Sequence, residues 1–163
     1  MGDWRFHLTA ATVLIPALAF PAYYQQQRLF SGQAGLGARD AGMVEVGPYL
    51  LRLAEFDVTP PLDSGVAGVH KAFTLALCEG CDDQIRAVYA RFGKPRSLRA
   101  AGTIFSGPPA RKFADVILPA RLTERDDLWI TVEDWDGEVH MAGVPVAQAS
   151  PVTASWIEKR ASR

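Results

Sequence analysis

Proline placement limits this chain more than any other feature. Beyond residue 44 it carries Pro48, Pro60, Pro61, Pro95, Pro108, Pro109, Pro119, Pro145 and Pro151. Each removes a backbone donor and fixes its own φ, so it stops or kinks a helix and is confined to the edges and turns of a sheet. Long uninterrupted helices are hard to place, and short strands joined by turns fit better.

The stretches between prolines carry strand patterning. In residues 44–56, Tyr49, Leu51 and Leu53 point one way and Leu50, Arg52 and Ala54 the other. Residues 57–68 hold Pro60, Pro61, Asp63, Ser64 and Gly65 and read as a loop. Residues 71–78 alternate again, with Phe73, Leu75 and Leu77 against Thr74 and Ala76. Short strands are expected over 97–105 and 113–118. The clearest hairpin joins 128–132 to 139–144 around Asp134-Trp135-Asp136-Gly137, where Asp-Gly suits a tight connection. Trp156 and Ile157 suggest a terminal helical turn.

One segment reads two ways. Ile85, Val88, Tyr89 and Phe92 stand at i, i+3, i+4 and i+7, with Asp82 and Asp83 before them and Gly93 after, which are helix signals. The same residues can pair back on the preceding strand as a hairpin. The helix is the favoured reading. The expected fold is therefore a mostly β domain over residues 44–163, small and β-sandwich-like or α+β, with one short mid-chain helix.

Ahead of it, residues 6–27 contain no Asp, Glu, Lys or Arg, and Trp4, Phe6, Tyr23 and Tyr24 flank the apolar run. That length and those flanks suit a membrane-spanning anchor over residues 1–24, with 25–43 as a linker. The triplet Ala17-Leu18-Ala19 after Arg5 equally suits a signal peptide cut after Ala19. The first reading puts the protein in the inner membrane with its domain facing the periplasm, and the second releases it there. With 17 Lys+Arg against 18 Asp+Glu, the chain lacks the basic stripe that nucleic acid demands. Gly32, Gly35 and Gly37 follow no strand, so no nucleotide fingerprint is present, and no Ser-His-Asp order appears.

Chemistry concentrates at Cys78-Glu79-Gly80-Cys81, the two cysteines of the chain. In an oxidising compartment such a pair closes as a local disulfide. As a thiol pair between a strand and a helix start, it resembles the thioredoxin arrangement over residues 77–92, which implies thiol–disulfide exchange by Cys78 and Cys81. The chain departs from that family downstream, because too little chain remains after Val144-Pro145 for the expected strands and helix. Asp82 and Asp83 would also disfavour a thiolate. As metal ligands, Cys78 and Cys81 would need His70 and His140, a set suited to zinc, or to copper with Met43 and Met141. Small single-span proteins that accompany copper delivery are similar in layout alone.

Asp126, Asp127, Glu133, Asp134, Asp136 and Glu138 crowd the last hairpin, where solvated turn residues are the simpler reading than a calcium loop. Arg86, Arg91, Lys94, Arg96 and Arg99 form a basic stretch that could face an acidic partner. Trp129 and Trp135 are either core or the aromatics of a partner-binding edge. Together these features describe a non-enzymatic, membrane-tethered envelope accessory module. It would bind a soft metal ion, or a membrane protein or complex, through the Cys78 to Cys81 region. A thiol–disulfide exchange protein and a structural subunit with a structural disulfide are the alternatives.

Overall fold

A computed structural model describes residues 35–162, together with Thr12, Leu14, Ile15, Pro16, Leu18, Phe20 and Pro21, which are helical. The chain divides into two compact units, Met1–Gly35 and Leu36–Arg163. The other residues of the anchor or signal expected over 1–24, and residues 25–34 of the linker expected over 25–43, lie outside the described residues. Among the described residues, no helix is long and apolar enough to cross a membrane.

The second unit is β-rich, as its prolines dictate. One antiparallel sheet contains β1 (Arg39–Val46), β2 (Tyr49–Glu55), β3 (Leu62–Asp63), β4 (Val69–Ala76) and β7 (Lys112–Leu118). β2 and the short β3 share one edge of β4, and β7 takes the other. The second sheet runs β6 (Thr103–Ile104), β5 (Ile85–Phe92), β8 (Asp127–Asp134), β9 (Val139–Pro145). Two helices close the chain, α1 (Val146–Ala149) and α2 (Pro151–Ala161). Ser150 caps α2 by accepting the Thr153 N–H at 3.2 Å, and Pro151 takes the first helical position, where its missing donor costs nothing.

Both sheets turn their apolar faces to one core. Leu51, Leu53, Phe73 and Leu75 come from the first sheet, and Val88, Phe92, Leu128, Ile130 and Val132 from the second. The Phe73 and Phe92 rings meet edge-on at 6.2 Å. Burying each of the large side chains contributes about 1.5–3 kcal/mol. Ser106 and Phe113 exchange backbone hydrogen bonds of 2.9 and 2.7 Å, tying the chain beyond β6 to β7 and so one sheet to the other.

Three expectations need correction. The strand expected over 97–105 is only Thr103–Ile104, preceded by a 3-10 turn at Leu98–Ala100. The single strand signal over 44–56 is a hairpin whose first strand begins at Arg39, inside the stretch read as linker. Val46 pairs with Tyr49 across Gly47-Pro48, and Gly47 has φ +60°, the positive value that a type II′ turn needs at its first loop position. The mid-chain helix is absent: Ile85–Phe92 is strand β5, paired with β8. Val88, Ala90 and Phe92 alternate inward as a strand should, but the pairing slips between Ile85 and Ala87. That bulge turns Ile85 inward as well, three residues before Val88, so a bulged strand reproduces the spacing of a helix.

Candidate functional site

Cys78 and Cys81 form a disulfide, with Cα atoms 5.3 Å apart. The same four residues make a turn in which the Cys81 N–H donates to the Cys78 carbonyl at 3.2 Å, and Gly80 adopts φ +72°. The element after Cys81 is a strand, so no helix N-terminus stands behind the pair to favour a thiolate. Both cysteines pack partly buried against the core. His70 lies elsewhere, on β4 between Leu62 and Ile117, with Nδ1 4.0 Å from Asp115. His140 belongs to β9 in the other sheet. Among the described residues, Cys78, Cys81, His70 and His140 are not gathered into one ligand cluster.

His140 instead has different company. Along β8, Leu128, Ile130 and Val132 point into the core, and the next inward position is Asp134, 8% exposed. His140 pairs with Val132 and therefore faces the same way. The Asp-Gly turn brings Glu138 back over them. Asp134 Oδ1 accepts the Glu138 backbone N–H at 2.8 Å, and its other oxygen, Oδ2, stands 3.8 Å from His140 Nε2. Glu138 Oε2 is 3.7 Å from the same nitrogen. The three ligand atoms lie within 4.8 Å of one another, and no other such group of three occurs among the described residues.

The opposite sheet closes this end of the core. The Tyr49 ring meets the His140 ring edge-on at 5.9 Å. A Cβ at Gly47 would stand 2.4 Å from the imidazole, so the ring is seated on the β1–β2 turn. Burial first, and then the charges of Asp134, Asp136 and Glu138, raise the Tyr49 hydroxyl pKa above the ordinary phenol value. The acidic crowding of this hairpin was visible in the sequence, but its convergence on His140 was not. Inward alternation through Asp134 was the signal that could have revealed it.

The outer face of the second sheet carries the two tryptophans. Trp129 is half-buried, with the Lys94 ammonium 5.1 Å from its ring centre. Trp135, just past the end of β8, is 65% exposed beneath the Arg86 guanidinium at 5.8 Å. Arg86 also pairs with Glu133 at 3.0 Å, and the Tyr89 hydroxyl donates to Glu133 at 3.2 Å. The Trp135 backbone N–H donates to the Gln84 backbone carbonyl at 3.1 Å, and the Gln84 backbone N–H to the Cys81 carbonyl at 3.1 Å. The disulfide loop and the hairpin tip thus form one tied surface.

Residues 1–147 match the model of the family described as uncharacterised conserved protein UCP029505. The chain belongs to this family. The matched span contains both cysteines, the Asp134, Glu138 and His140 cluster and both outer-face tryptophans, and it ends before α2. No curated protein and no solved structure matches the chain.

Proposed function

We propose that this family member is a non-enzymatic accessory module of the cell envelope, tethered by its apolar N-terminal segment, which holds a membrane protein partner on the outer face of a small β-sandwich. One observation carries the partner reading: Trp135 stands exposed with Arg86 stacked on it, on a loop pinned to the disulfide turn through Gln84. Exposed tryptophan and arginine on a rigid support is the composition of interface hot spots. Trp129, Tyr89 and Met141 extend that face with further half-buried side chains. The apolar run over residues 6–27 supports export.

The reading is tested in cells with a photo-crosslinking residue at position 129 or 135, using position 50, exposed on the other sheet, as control. The expected result is an adduct with one membrane protein from 129 and 135 and none from 50. Labelling that ignores the position, or no adduct from either tryptophan site, retires the partner surface. A reporter fused after Arg28 that stays cytoplasmic retires the envelope location.

A further inference from the structure

The two ends of the core treat buried charge differently. At one end, the Glu55 carboxylate is met by Arg39, Lys71 and Ser150. At the other, His140 Nε2 has no exposed surface and no hydrogen bond among the described residues. Leaving such a nitrogen unmet forfeits the hydration it had in the unfolded chain with nothing in return. The carboxylate oxygens at 3.7 and 3.8 Å are too far for N–H···O bonds, which run about 2.7–3.2 Å. They suit two ligands of one small cation: tetrahedral bonds of about 2.0–2.2 Å put neighbouring ligand atoms about 3.4 Å apart.

We propose that Asp134 Oδ2, Glu138 Oε2 and His140 Nε2 form a binding site for a divalent cation of the zinc class. One imidazole and two carboxylates suit zinc, whereas copper(I) seeks sulfur and calcium six or more oxygens. The donors are held before any ion arrives: Asp134 by the Glu138 N–H, His140 by Gly47 and the Tyr49 ring. Glu138, with its side chain 74% exposed, closes the site from the solvent side and leaves an entry path. Three protein ligands leave a fourth position for water or a partner's side chain. The site stands on its own geometry and is independent of the partner surface.

The test titrates the full-length chain, purified in detergent and stripped with a chelator, with zinc chloride by calorimetry, alongside thermal unfolding with and without the metal. One zinc per chain is expected, with a raised unfolding midpoint, because a ligand of the folded state stabilises it. Glu138→Gln, Asp134→Asn and His140→Gln should each weaken binding at least about tenfold. His70→Ala should leave it unchanged, and calcium at equal concentration should not compete. Glu138 is exposed, so its variant keeps the fold and reads ligation directly. The proposal falls if the wild type shows no saturable binding, which would leave a loose ion pair only. It also falls if Glu138→Gln and His140→Gln bind as the wild type does, or if His70→Ala abolishes binding.

Discussion

Glu55 is as buried as the leucines around it, and it is stable there because its oxygens are met. Arg39 reaches one at 2.8 Å and Lys71 the other at 3.1 Å, where the Ser150 hydroxyl also donates. The same Arg39 guanidinium donates to the Gln148 and Ala149 carbonyls at the end of α1. Removing one member strands the rest, so Glu55→Ala should destabilise the protein by about 3–5 kcal/mol, measured by denaturant unfolding. Asp40 is the contrast. Hydrogen bonding from Arg52 holds its carboxyl below the ordinary 3.8, so the unfolded chain takes up this proton at a higher pH than the folded one. The pair's contribution is thus complete above about pH 4 and is lost as pH falls through the folded value. Both groups are about half exposed, so the effect is small, and Asp40→Asn should narrow the gap between unfolding midpoints at about pH 5 and pH 3. Neither Glu55 nor the Asp134, Glu138 and His140 cluster was legible as such in the sequence. Glu55 looks like a solvated strand end, and its partners lie far along the chain at Arg39, Lys71 and Ser150.

At the scale of elements, strands announced by plain alternation were legible and irregular ones were not. β4 and β8 read directly, because their alternate apolar residues, Phe73 and Leu75 in one and Leu128, Ile130 and Val132 in the other, pack into the core, and β9 read from the Asp-Gly turn that joins it to β8. β5 failed because a bulge at its start turned period two into an apparent helical period. β1 was missed from its beginning because Gly42, with φ +102°, sits at a register shift and breaks the pattern. The Cys78 to Cys81 turn illustrates a second limit. Its spacing allowed clip, redox pair or ligand, and only the element after it decides the local electrostatics. The backbone turn already closes these four residues through the Cys81 N–H. The disulfide therefore constrains little of the unfolded chain, with a stabilisation of about 2 kcal/mol for so short a loop. Replacing both cysteines by serine should lower unfolding stability by no more than that and preserve the strand-dominated circular dichroism spectrum.

The whole second unit has one core shared by two sheets, and this decides how it should fail. Neither sheet has an apolar partner of its own. Leu51, Leu53 and Phe73 on one side bury against Val88, Phe92 and Ile130 on the other, and α2 adds Ala154 and Ile157. The joint at Ser106 and Phe113 and the α1 clasp by Arg39 fasten the structure further. Loss of packing in one sheet thus removes the surface on which the other rests, so the unit should unfold as a single cooperative step. Phe92→Ala tests this sharply, because Phe92 lies in the second sheet and its ring contacts Phe73 in the first. The expected cost is about 3–5 kcal/mol, as for other large-to-small core changes. With Trp4 and Trp156 replaced by phenylalanine, tryptophan fluorescence follows Trp129 and Trp135 at the second sheet, whereas far-ultraviolet circular dichroism follows all strands. Both probes should shift to the same lower midpoint in the variant. A fluorescence transition that moves ahead of the backbone transition would mean the second sheet melts alone, and the shared core would not be the unit of stability.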